Sequence, residues 1–316
     1  MFEKIIEIVK GIKPKVLAKK DELGSKPLTV SVMGETGVGK SSLINSLFGT
    51  NLPVDHVRPA TKEIYSIPVK SRDKKHELIF FDLPGAGESE ETDEKYLKMY
   101  VKQALKSDIT LWLIQIDRRD YHSRKYLTRL LGLLTDNQKI QFYNKITFVL
   151  TKGDILQEGK WIYDSENQIF APDSKMKSLL REKMKFYKSE FIEKFITYLN
   201  TGVDKPDTCK MRVPREEFLS VQKGKICSNK LLTSEDVNIL SEKYPDCKDV
   251  FPKIFENQNV VPVSSRYKYN LVKLLTIILD KNDDDMILRI EHFIDQETLD
   301  KVGKETAQSI GNITIV

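Results

Sequence analysis

Cysteine is scarce in this 316-residue chain, which holds only Cys209, Cys227 and Cys247. The number is odd, the residues are far apart and no CxxC pair occurs, so neither a disulfide framework nor a zinc site is expected. Such usage fits a reducing cytoplasm. Long apolar runs are also missing, and no stretch approaches the roughly 18 residues of a spanning helix. The first residues lack a signal-peptide core and cleavage pattern, which adds to the expectation of a cytoplasmic protein. There is no fixed-period repeat and no low-complexity segment. Strong charge bias is absent too: 51 basic against 46 acidic residues leave a net charge of +5, which does not demand nucleic acid. No RNA-binding motif or aromatic-interleaved basic patch appears, so the residues do not indicate nucleic acid or a ribosome as partner.

What is present is 40% hydrophobic and 31% charged residues, the composition of a soluble globular protein. Phe2, Ile5, Ile6, Val9 and Ile12 recur at helical spacing among lysines, predicting an amphipathic helix within residues 1–27. A basic amphipathic face suits packing on its own domain or a membrane surface. From 28 to about 154, strand and helix signals alternate. Strands are expected at 28–33, 63–70, 77–82, 109–116 and 145–151, and helices at 40–48, 93–106 and 120–135. The pattern predicts an α/β fold, a mainly parallel sheet with helices on both faces. Residues 155–258 depart from it and read as an insertion, with a long lysine-rich helix at 174–200. Residues 260–263 give one more strand and 271–279 a helix, closing a domain over 28–280. Residues 281–316 carry a further helical pattern.

The chemistry is concentrated in short motifs. Gly34-Glu35-Thr36-Gly37-Val38-Gly39-Lys40-Ser41 is a complete GxxxxGK[ST] loop between a strand and a helix that starts with Ser42. Its glycines let backbone N–H groups face one concavity and cradle phosphates, and the helix start adds its positive dipole end. Lys40 is expected to reach the β- and γ-phosphates, and Ser41 to coordinate Mg²⁺. Asp82-Leu83-Pro84-Gly85 ends an apolar strand. There Asp82 is placed to hold a Mg²⁺-bound water and Gly85 to offer its N–H to the γ-phosphate. Thr61 lies between these motifs and is the candidate switch threonine, closing over Mg²⁺ and the γ-phosphate.

Thr151-Lys152-Gly153-Asp154 follows a strand as an [NT]KxD pattern. The Asp154 carboxylate can accept from the guanine ring N–H and amino group, whereas adenine presents the opposite polarity. The Lys152 stem can lie along the base. Thr151 stands where Asn is commoner, which weakens the expected tie to the phosphate loop. Ser264 and Ser265, after the last strand, are candidates to present a backbone N–H to guanine O6. Taken as isolated features, each of these is an ordinary polar turn; their order makes them a set.

That set, with GETGVGKSSLIN, RPATKE, DLPGAGES and LWLIQIDRRD, resembles Era-like GTPases of the translation-factor-related class. More closely it resembles the 50S ribosome-binding GTPase family, relatives of the immunity-related GTPases. The likeness spans about 28–154 and 259–280. It implies a P-loop G domain with a six-stranded sheet and one antiparallel edge strand, binding GTP or GDP with Mg²⁺ and hydrolysing GTP slowly as a switch. Ala86 occupies the place of the water-orienting glutamine of Ras-like enzymes, so another group must serve; Glu88, Arg58, Arg118, Arg119 and a partner's residue are candidates. Gly37 replaces the asparagine of potassium-using relatives. The extra material between Asp154 and Ser264 exceeds that of compact relatives. A non-hydrolysing GTP sensor and a self-assembling, membrane-associated GTPase are the alternatives. A second copy of the chain, an effector protein or a membrane surface stands as candidate partner.

Overall fold

The computed structural model describes residues 27–35, 37–52, 65–71, 77–82, 90–118, 121–194, 202–222, 224–281, 290, 293–294, 299–311 and 313–316. The expected amphipathic helix near the N-terminus lies outside them, as do Thr36, Thr61 and Gly85. The central sheet is built from β1 (Leu28–Met33), β2 (Tyr65–Lys70), β3 (Glu77–Asp82), β4 (Ile109–Gln115), β5 (Ile146–Thr151) and β11 (Val261–Pro262). Its order is β11-β5-β4-β1-β3-β2. All pairings are parallel except β2 with β3. This is the six-stranded sheet with one antiparallel edge that the resemblance implies.

Period-2 alternation divides the core. Leu111 and Leu113 of β4 face one apolar cluster, which holds Leu43 and Leu47 of α1 (Lys40–Phe48) and Leu274 and Ile278 of α8 (Leu271–Lys281). Trp112 and Ile114 face the other, with Tyr100 of α2 (Glu90–Lys106), Leu130 of α3 (Tyr121–Gly132), Phe142 of α4 (Asp136–Lys145) and Phe191 of α5 (Ser174–Phe191). Both faces are therefore covered, which accounts for the near-continuous burial of β1, β4 and β5.

Three local readings change. The helix expected over 120–135 ends at Gly132, and a separate α4 starts after Thr135. Thr135 and Gln138 form a capping box there, which satisfies the first N–H groups of a new helix. The helix expected over 174–200 ends as an α-helix at Phe191. The C-terminal stretch, read as helical, holds the short α9 (Lys304–Gln308) and then a strand, β12 (Thr314–Ile315).

Between β5 and β11 the chain builds two further sheets. β6 (Trp161–Asp164) and β7 (Ile169–Pro172) form an antiparallel hairpin, and β12 adds to β6 in parallel. β8 (Val203–Asp204), β9 (Leu219–Gln222) and β10 (Lys225–Ser228) form a second sheet in the order β8-β10-β9. It shares a core of its own with α6 (Ser234–Lys243) and α7 (Val250–Asn257), centred on Ile226, Leu240 and Phe251. Here the cysteine expectation is corrected: Cys209 and Cys247 are disulfide-bonded with Cα atoms 5.0 Å apart, and Cys227 is free and buried. The 38-residue separation hid the pair, because packing of the turn before α7 against the segment after β8 brings them together. Cysteine usage therefore gives no support to a reducing compartment. Among the described residues no helix is long and apolar enough to cross a membrane.

Candidate functional site

The C-terminal ends of β1, β3, β4, β5 and β11 lie along one edge of the sheet, the edge where open α/β sheets bind ligands. Gly34 leaves β1 with φ +143°, and a Cβ built there would sit 2.6 Å from the carbonyl oxygen of Leu113. Only glycine lets the loop pass β4 so closely. Gly37 (φ +76°) and Gly39 (φ +98°) complete the turn, and Gly39, at the N-cap of α1, has no side chain to cap the helix. The Lys40 ammonium lies over this loop, donating to the carbonyls of Gly34 (3.1 Å) and Glu35 (3.2 Å). Ser41 and Ser42 occupy the first turn of α1. Asp82 ends β3, in register with Val32 just before the loop. Ser41 and Asp82 are hard oxygen donors suited to Mg²⁺, and both belong to elements that end or begin at this edge.

Along the same edge, β5 delivers Thr151-Lys152-Gly153-Asp154. Thr151 is buried and its hydroxyl donates to the carbonyl of Val38 at 2.7 Å. The tie to the phosphate loop, expected to be weak for want of asparagine, is therefore made by threonine. Lys152 adopts a left-handed conformation (φ 58°), and its ammonium donates to Gln115 Oε1 at 3.1 Å. Gly153 donates its N–H to the carbonyl of Val263 (2.9 Å), which locks this loop to the segment leaving β11.

Ser264 is fully buried and its hydroxyl donates to Asp154 Oδ1 at 2.6 Å. Its own N–H goes to the carbonyl of Tyr269 (3.3 Å). Of the pair expected to offer a backbone N–H, Ser264 thus contributes its hydroxyl instead, and Ser265 follows it beside α1, where Ser46 Oγ reaches its carbonyl at 3.4 Å. Burial raises the Tyr267 hydroxyl pKa, Arg266 opposes that shift, and the Asp154 charge adds to it.

Sequence reasoning missed several neighbours. Gln115 holds Lys152, and Trp161 packs under Gly153. No local pattern signals either residue. Arg118, named among the substitutes for glutamine, is half-exposed and ion-paired with Glu35 at 2.8 Å. The Tyr187 hydroxyl of α5 donates to the Arg118 carbonyl. Arg58, Glu88 and Arg119 lie outside the described residues.

Residues 29–152 match the family model described as 50S ribosome-binding GTPase. The chain is similar to the uncharacterized protein YkfA of Escherichia coli K12, 30% identical over 48% of this chain and 50% of that one. It is also similar to the uncharacterized protein YfjP of the same strain, 31% identical over 45% and 47%. The chain thus spans about half the length of these two relatives. GTPase Era of Campylobacter jejuni subsp. doylei is 28% identical over 70% of both chains. With the sheet order and the phosphate loop in place, residues 29–152 form a P-loop G domain that matches the 50S ribosome-binding GTPase family model.

Proposed function

We propose that this protein binds GTP with Mg²⁺ and hydrolyses it slowly to GDP and phosphate, acting as a molecular switch. The observation that carries the reading is the hydrogen bond from Thr151 to Val38, with Asp154 fixed at the same time by Ser264. Together they hold the Asp154 carboxylate at a set position relative to the phosphate loop, which supports a ligand with guanine at one end and phosphates at the other.

In this reading Lys40 leaves the carbonyls of Gly34 and Glu35 for the β- and γ-phosphates, a stronger charge-assisted contact. Backbone N–H groups from Gly37 to Ser41 supply the rest of the cradle. Asp154 accepts from the guanine ring N–H and 2-amino group, Lys152 lies along the base, and Ser265 offers its N–H to O6. Ser41 and Asp82, with Thr61, are the residues that would hold Mg²⁺, which supplies charge neutralisation between the β- and γ-phosphates. Thr61 and Gly85 are the residues assigned to the γ-phosphate. With Ala86 in place of a water-orienting glutamine, turnover is expected at roughly 10⁻⁴–10⁻² s⁻¹, the range of unassisted switch GTPases.

The test is calorimetric titration with GTP and ATP in Mg²⁺, followed by single-turnover incubation with GTP. GTP-selective binding and slow GDP formation are expected. Binding of ATP alone would overturn the reading. Binding of GTP with no GDP after prolonged incubation would leave a sensor, the reading that Ala86 favours. Asp154→Asn should transfer preference from GTP to xanthosine triphosphate, whose 2-oxo group matches the amide donor.

A further inference from the structure

The two loops that would read the base arrive from segments 110 residues apart, as Asp154 and Ser264 show. What joins them beneath is an aromatic group from the hairpin that follows Asp154. Trp161 of β6 is 4% exposed, and its Cζ2 would lie 3.9 Å from a Cβ built on Gly153. Its ring meets Tyr269 edge-on at 4.9 Å and 74°, and Tyr267 at 5.1 Å. Tyr267 stacks on Phe170 of β7 at 4.3 Å and 19°. Both tyrosines hold Ser264: the Tyr267 N–H donates to its hydroxyl (3.1 Å), and the Tyr269 carbonyl accepts its N–H (3.3 Å). The hairpin is itself fastened by the C-terminal segment, through β12 and through the Tyr163 hydroxyl, which donates to the Val302 carbonyl at 2.7 Å.

Among the described residues, Trp161 Nε1 is buried without a hydrogen-bond partner. A phenylalanine would fill much of the space without that orphaned donor, so it is ring area rather than the N–H that serves the packing. The phosphate loop depends on a different tie, Thr151 to Val38.

We propose that Trp161 is a positioning residue for guanine recognition, framed by the sheet β12-β6-β7, which sets Asp154 and Ser264 against each other without touching the ligand. This rests on the guanine-nucleotide reading above. Loss of the ring leaves a void under both loops, so the carboxylate shifts relative to the base while the phosphate cradle stays fixed.

The experiment compares GTP, GDP and inosine triphosphate, which lacks the 2-amino group, on wild type, Trp161→Phe and Trp161→Ala. Wild type and Trp161→Phe should prefer GTP to inosine triphosphate by about tenfold or more, the worth of one hydrogen bond to a charged acceptor. Trp161→Ala should lose most of that preference, with its GTP-to-GDP ratio unchanged. Equal loss for all three nucleotides, or none for any, would overturn the proposal. If Trp161→Ala does not fold, Trp112→Phe leaves Trp161 as the one tryptophan. Its emission should shift with GTP and not with magnesium pyrophosphate, and no shift at saturating GTP overturns the proposal. Absence of guanine-nucleotide binding by wild type is a separate failure, that of the functional reading itself.

Discussion

At the base end of the site, side chains do the holding: the Thr151 hydroxyl on Val38, the Ser264 hydroxyl on Asp154, Lys152 on Gln115, and Trp161 between two tyrosines. At the phosphate end, backbone does it. Three glycines with positive φ shape the loop, Lys40 bonds to its carbonyls, and apart from the Thr151 tie its outer side chain Glu35 pairs with the half-exposed Arg118. On the proposed reading, the contrast follows from what each end would recognise. A phosphate is a symmetric anion that any ring of N–H donors can hold. A purine is told from another purine by the polarity of two or three edge atoms, so the reading group must be fixed to fractions of an ångström.

The contrast breaks most sharply at Gly34. In Gly34→Ala the added methyl meets the Leu113 carbonyl at 2.6 Å and the backbone is held at φ +143°. Nucleotide affinity should fall by about 100-fold for GTP, GDP and ATP alike, since a strained residue costs about 1–3 kcal/mol and the collision adds to it. Calorimetry would show this, and a loss confined to GTP would contradict it.

Similar in size is a pH effect at the foot of the base-side strand. Lys281, only partly buried as a residue, turns its ammonium onto the carbonyl of Ile146 (2.7 Å), and desolvation lowers its pKa from 10.5 to about 8. It is the nitrogen's surroundings that set this shift. A lysine with a lowered folded pKa is protonated in both states below pH 8, so the destabilisation is complete there. Between pH 8 and 10.5 the unfolded chain holds the extra proton, and folding gains with rising pH, by at most about 3 kcal/mol. Urea unfolding of Lys281→Met should lack this rise. The gap between the two proteins should narrow from pH 7 to 10.

A smaller effect is expected at Thr151. Thr151→Ala removes a buried bond and leaves the Val38 carbonyl short of a donor, costing about 1–3 kcal/mol. Guanine and phosphate positions then drift apart, and GTP affinity should drop about tenfold. Thr151→Asn, which restores a donor, should recover most of it. The smallest effect belongs to Arg118→Ala. An exposed ion pair contributes about 0–1 kcal/mol, so affinity should change less than about fivefold, and less still at 1 M salt.

The phosphate end was the more legible in sequence, because a backbone cradle needs glycines at fixed spacing and GETGVGKS displays them. The sheet was legible too: each parallel strand is an apolar run, and the observed ranges of β1, β3 and α1 coincide with those expected. The base end was legible only at Thr151, Lys152 and Asp154. Its support comes from contacts between residues more than a hundred positions apart, such as Trp161 with Tyr267 and Asp154 with Ser264, and no local periodicity encodes them. The same applies to Cys209 and Cys247, and to the break at Thr135, where a capping box interrupted a continuous helical pattern.

The third strand of the hairpin sheet has a consequence in time. Ser165 beside β6 bonds to Val316 beside β12, a partner 151 residues later in the chain. At synthesis rates of about 5–20 residues per second, roughly 8–30 s separate the two strands on the ribosome. The phosphate loop and α1, made of neighbouring residues, are complete long before. During its own translation the nascent protein therefore has its glycine loop and α1 finished while the sheet behind Asp154 and Ser264 still lacks an edge.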